Sequence, residues 1–120
     1  MLDKVGLLDK AQTRAGSLAH GQKQWLEIGM QMVQQPEIIM LDEPAAGMGK
    51  PETFKTGEIL REIQKECTII VIEHDMDFVR QAADIVTVLH EGMLTEGTVD
   101  EVLADATVQA VYLGHGKAAS

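Results

Sequence analysis

The sequence predicts an α/β fold: a parallel sheet flanked by helices, with a β-hairpin and short helices toward the C-terminal end. Three observations carry that expectation. Two short apolar runs, Ile38 to Leu41 and Thr68 to Ile72, are uninterrupted rather than alternating, the pattern of parallel strands buried on both faces. Between them lies one amphipathic stretch of helical period, long enough for the crossover that parallel strands require. After them, Ile85 to Leu89 and Met93 to Glu96 flank the turn pair Glu91-Gly92, which reads as a hairpin.

Taken in order, residues 1–16 hold a small apolar group (Val5, Leu7, Leu8) and then a polar run, and read as a frayed helix or coil. Ser17 to Gln22 is a small-residue turn that leads into a helix with Trp25, Leu26, Ile28, Met30, Met32 and Val33 on a broad apolar face. Pro36 ends it by disfavouring helical geometry at Gln35. The first apolar strand follows and runs straight into Asp42, Glu43 and Pro44. Ala45 to Lys50 is a loop with two glycines, and Pro51 suits the first turn of the crossover helix, whose inward residues are read as Phe54, Gly57, Leu60 and Ile63. The second strand ends in Glu73-His74-Asp75, with Asp75 placed to cap a helix from Met76 to Ala83. Beyond the hairpin, Thr98 and Glu101 have capping-box spacing for a short helix, and a last helix is expected over 105–113 with Val108, Val111 and Tyr112 inward, closed by Gly114.

Composition narrows the function classes. With 120 residues, 45% hydrophobic and 24% charged, the mixture is that of one modest globular domain or a piece of one. A formal charge of −9 argues against a nucleic-acid backbone and against an anionic membrane surface as partners. A single cysteine, Cys67, excludes an internal disulfide and suits a reducing compartment, where a buried structural thiol is expected. No run is long enough to span a membrane and the N-terminus has no secretory pattern, so the expectation is a cytosolic chain without direct membrane insertion.

Two stretches carry chemistry. Side chains at the carboxyl ends of parallel strands face the crevice where open α/β sheets bind ligands, so Asp42, Glu43 and His74 should meet at one sheet edge. An acidic strand end that is solvated and idle, with His74 a mere helix-start residue, stays open on these residues alone. The helix that starts at the turn around Gly21 directs free N–H groups and the positive end of its dipole outward, which suits an anion. An ordinary helix N-terminus stays open there too.

In that order, Leu18-Ala19-His20-Gly21-Gln22, Ile38 to Pro44 and Glu73-His74-Asp75 resemble the signature motif, Walker B strand and switch histidine of ABC-transporter ATPases. Residues 84–114 are similar to the hairpin and C-terminal helices of ATPases serving branched-chain amino acid and urea importers, and Ala45 to Met48 with Val111 to Gly114 narrow the resemblance to that subgroup. The resemblance implies an incomplete P-loop NTPase-type sheet, with residues 1–114 the C-terminal part of a nucleotide-binding domain; the tail 115–120 is itself expected to be disordered. It assigns Mg²⁺ to Asp42, general-base and γ-phosphate-sensing roles to Glu43 and His74, and contact with the ATP of a partner subunit to Leu18, Ala19, His20, Gly21 and Gln22. It further implies a second ATPase subunit, alike or different, membrane permease subunits as partners, and a cytoplasmic place at the inner face of the membrane.

Departures accompany it. Ala19 stands for the usual Ser, His20 for a Gly, and Gly49 for an Asp or Asn. The sequence holds no Gly-x-x-x-x-Gly-Lys-Ser/Thr phosphate loop, so the chain by itself is expected to lack turnover. The family places the strand leading to that loop between those ending at His74 and Leu89, so an unpaired edge is expected. A non-catalytic module lending its signature turn to another ATPase, or a piece with no role of its own, are the alternatives.

Overall fold

The computed structural model describes residues 1–111, apart from the side chains of Met93 and Leu94. Tyr112, Leu113, Gly114 and the tail 115–120 lie outside the described residues. The chain forms two compact units, Met1–Ala82 and a second that begins at Ala83.

In the first unit, α1 (His20–Val33) leads to β1 (Ile38–Asp42), α2 (Lys50–Ile63) crosses over to β2 (Thr68–Ile72), and α3 (Met76–Ala82) follows. The two strands are parallel, as expected, in the register Ile38 to Thr68 through Asp42 to Ile72. Pro51 does sit in the first turn of α2. Asp75 does cap α3: its Oδ1 accepts from the N–H groups of Asp77 (3.1 Å) and Phe78 (3.3 Å). Arg61 of α2 donates to the Gln81 carbonyl (3.0 Å). The Gln81 amide lies across Gly57 and donates to the Phe54 carbonyl (2.8 Å). A methyl group at position 57 would fall within 2.4 Å of it, so glycine sets how closely α2 and α3 approach.

Four expectations need correction here. Residues 1–16 are not frayed: backbone hydrogen bonds close turns over residues 1–7, including Leu7 N–H to the Leu2 carbonyl (2.8 Å), and bring Val5 and Leu7 into the core. Val5 packs on Gly29 of α1, Lys4 pairs with Glu66, and short 3₁₀ turns without buried residues follow at Leu8–Lys10 and Ala15–Ser17. The apolar face of α1 is narrower than its composition suggests. Trp25, Ile28 and Met32 are buried, while Met30 and Val33 point to solvent. On α2, Phe54 is exposed and Thr56 takes the buried place, because Thr56 meets the indole of Trp25. The strands, finally, are covered on one side only. Ile39 and Leu41 are buried against α1 and α2, whereas Ile38 (56% exposed), Met40 (65%), Ile70 (45%) and Ile72 (55%) form an open apolar face. Among the described residues of the first unit nothing covers it.

Cys67 is buried as expected, near Met32 Sδ (3.7 Å), and burial pushes its thiol above the ordinary range.

In the second unit, β3 (Val86–Leu89) and β4 (Met93–Gly97) form the antiparallel hairpin, with a bulge between Val88 and Leu89. Glu91 and Gly92 both have positive φ, as the tight turn demands. Ile85 precedes the strand and is exposed. The short helix α4 (Val99–Leu103) begins as its capping box predicts, with the Glu101 N–H donating to Thr98 Oγ1 (3.2 Å). Residues 106–111 are helical, Asp105 Oδ1 caps them through the N–H groups of Thr107 and Val108, and Val108 is buried. Among the described residues β2 pairs only with β1 and β3 only with β4.

Candidate functional site

The carboxyl edge of the β1–β2 pair gathers Asp42, Glu43 and His74. Asp42 closes β1 and is exposed, so its carboxylate is open to solvent. Glu43 follows directly, and its N–H continues the ladder by donating to the Ile72 carbonyl at 2.8 Å. Its φ of 48° is left-handed, an uncommon conformation for a residue with a side chain. That bend swings the Glu43 carboxylate to His74, where Nε2 and Oε1 form a hydrogen bond. Both groups stay accessible, with side-chain exposures of 42% for Glu43 and 79% for His74.

Glu73 braces this edge from behind, a part the sequence reading did not assign. Its Oε1 accepts from the backbone N–H groups of His74 (3.0 Å) and Asp75 (3.3 Å), while its Oε2 is buried without a hydrogen-bond partner among the described residues. An acidic residue two before a polar helix start is the available signal, and it does not separate this local brace from a solvated side chain.

The turn Leu18 to Gln22 is the second part. Leu18 is buried, so it anchors the turn instead of offering a side chain. Ala19 takes the N-cap position, and the Gln22 side chain accepts from its N–H at 3.0 Å, the reciprocal half of a capping box. The hydroxyl half is missing with Ser replaced by Ala. The N–H groups of His20, Gly21 and Gln22, in the first turn of a 14-residue helix, have no acceptor among the described residues. Glu52 lies over this end, close enough that a methyl group on Gly21 would fall 2.7 Å from its Oε2. A bound anion would have to displace that side chain. The ring of His20 faces the loop after Glu43, 3.0 Å from the Ala46 carbonyl.

The donor set fits a magnesium ion shared with a phosphate ligand. Asp42 offers a hard, exposed oxygen donor, and Mg²⁺ is usually held by one or two carboxylates plus water and phosphate oxygens. Among the described residues no group of three metal-ligating side chains forms a dedicated cage. No described helix is long and apolar enough to cross a membrane.

Comparison with known proteins bears on the family of the chain. Residues 1–46 match the family model "ABC transporter", and residues 93–118 match "Branched-chain amino acid ATP-binding cassette transporter". The chain is 42% identical over 116 residues to the high-affinity branched-chain amino acid transport ATP-binding protein LivG of Salmonella typhimurium, covering 94% of this chain and 46% of that protein. With BraF of Pseudomonas aeruginosa, of the same description, identity is 38% over the same shares. Among solved structures, the ADP conformation of MJ1267, an ATP-binding cassette of an ABC transporter, superposes with a TM-score of 0.81 at 30% identity, over 94% of this chain and 47% of that one. For cbiO1 of Clostridium perfringens, part of the ABC transporter complex cbiONQ, the TM-score is 0.79 at 32% identity, over 95% and 48%. The chain thus spans about half the length of the relatives it matches. It belongs to the ABC transporter family and corresponds to one stretch of an ATP-binding cassette.

Proposed function

We propose that this chain supplies the water-activating and metal-binding edge, together with the signature turn, of an ATP hydrolysis site that powers import of branched-chain amino acids or urea. The observation that carries the reading is the Glu43–His74 hydrogen bond at the strand edge beside an exposed Asp42. The names of LivG and BraF support branched-chain amino acids as the cargo.

Phosphoryl transfer asks a protein mainly for positioning and charge stabilisation. Glu43 accepts a proton from the attacking water. His74 donates from Nε2, holding the Glu43 carboxylate in line and meeting the γ-phosphate. Asp42 would hold Mg²⁺, which neutralises phosphate charge when bound. The first-turn N–H groups of His20, Gly21 and Gln22 face the nucleotide of a second ATPase subunit, and permease subunits keep the assembly at the inner face of the membrane. The phosphate loop comes from outside these 120 residues, and the chain alone does not turn over.

The test is a chimera in which this chain replaces the matching 116 residues of LivG. Hydrolysis of Mg-ATP is expected, and Glu43→Gln should lower it about 10²- to 10⁴-fold with nucleotide binding retained, the range for loss of a general base. A Glu43→Gln chimera that binds and hydrolyses as well as its parent overturns the reading. Steady turnover by the 120-residue chain alone overturns the claim that it needs a phosphate loop from elsewhere.

A further inference from the structure

The side chain of His20 is already engaged, and its partner points to work inside the chain. Nε2 lies 3.0 Å from the Ala46 carbonyl oxygen. A carbonyl only accepts, so the ring nitrogen facing it must carry a proton. The N–H of Ala46 in turn donates to the carbonyl of Glu43 at 3.0 Å. Two hydrogen bonds through one residue therefore connect the first residue of α1 to the backbone of Glu43.

Glu43 needs that support. Its left-handed φ is unfavourable for a residue with a Cβ and persists only where the surroundings fix it. Three bonds do so: the Ile72 carbonyl holds its N–H, the Ala46 N–H holds its carbonyl, and His74 holds its carboxylate. Gly47 makes room for the arrangement. Its φ is +77°, and a Cβ there would sit 3.2 Å from His20 Nε2, tighter than ordinary contact. The ring reaches Ala46 at this distance because position 47 has no side chain.

We infer that His20 is a positioning residue: its Nε2–H holds the Ala46 carbonyl and, through Ala46, fixes the left-handed Glu43 that aims its carboxylate at His74. The importance of Glu43 rests on the proposed function, whereas the latch is a statement about hydrogen bonds.

Nuclear magnetic resonance on the full 120-residue chain, with labelled histidine and amide hydrogen exchange, tests it without nucleotide. His20 is expected to be protonated on Nε2. His20→Ala should speed exchange of the Ala46 amide about tenfold, the worth of one lost hydrogen bond, and shift the His74 Nε2 resonance, with exchange at Ile39 and Leu41 unchanged. His20→Gln, which keeps an N–H donor, should recover most of both effects. An unprotonated Nε2 on His20 in the parent chain, or unchanged Ala46 exchange and His74 resonance in His20→Ala, overturns the inference. Should His20→Ala fail to fold, the parent tautomer and the His20→Gln signals decide. An inactive chimera would sink the ATPase reading and leave these signals as they are, so the two failures are distinguishable.

Discussion

The two faces of the β1–β2 pair have nearly the same chemistry and opposite fates. Ile39 and Leu41 on one face are buried among Trp25, Ile28, Ile59 and Leu60, while Ile38, Met40, Ile70 and Ile72 on the other are open. Successive strand residues point to opposite faces, so a run such as Ile38 to Leu41 presents apolar surface to both sides at once. Such a strand asks for two covering layers, and the first unit provides one. Fold stability should therefore reside on the inner face, with the outer face contributing little to it.

The sharpest way to break that comparison is to cut into the inner face. Leu41→Ala removes a buried side chain one residue before Asp42, and is expected to cost about 2–5 kcal/mol in urea denaturation. Against a total near 5–15 kcal/mol for an ordinary domain, that loss is severe. A cost under about 1 kcal/mol would show that the inner face is not the core.

The same contrast marks what was legible in the sequence. Element type followed from periodicity and punctuation: Pro36, Pro51, Asp75 and Thr98 each stand at the boundary their chemistry predicts. The meeting of Asp42, Glu43 and His74 at one edge also followed, since parallel strands joined by a crossover bring their carboxyl ends together. Burial on the outer face did not follow, because an apolar run reports the surroundings a strand suits and not whether a given chain contains them. Nor did the inward turn of Thr56 in place of Phe54, which depends on a tryptophan 31 positions earlier in the chain. The brace of Glu73 and the reach of His20 to Ala46 were equally out of view. Both depend on backbone groups, which every residue carries and no residue type announces.

Thr56 gives the second test, at an intermediate size. It is fully buried, and its Oγ1 accepts from Trp25 Nε1 at 2.9 Å while donating to the Glu52 carbonyl at 2.8 Å, one turn earlier. Met48 Sδ, from the loop after Glu43, lies 3.1 Å from the same oxygen. Thr56→Val keeps the volume and removes the acceptor, leaving a buried indole N–H unpaired. The expected loss is about 1–3 kcal/mol by urea denaturation. Removing both partners should hurt less than removing one, so Trp25→Phe with Thr56→Val should lose less than the sum of the two single changes. Strict additivity would mean that the bond does not couple α1 to α2.

The smallest expected change in stability belongs to the outer face, where its smallness is the point. Met40 and Ile70 are a register pair, both exposed, on a sheet whose two strands each have one unpaired edge among the described residues. Replacing both with Gln removes apolar surface that was never taken from water, so stability should move by no more than about 0.5 kcal/mol. Self-association should respond instead. An open apolar patch beside free strand edges is a site for chain-to-chain contact, and light scattering of the doubly substituted chain should report less association than the parent at equal concentration. A stability loss above about 2 kcal/mol would mean that these side chains are packed, and the contrast between the two faces would fall. Unchanged stability with unchanged scattering would spare the contrast and move the sticky surface elsewhere, with exposed Phe54 on α2 the next position to substitute.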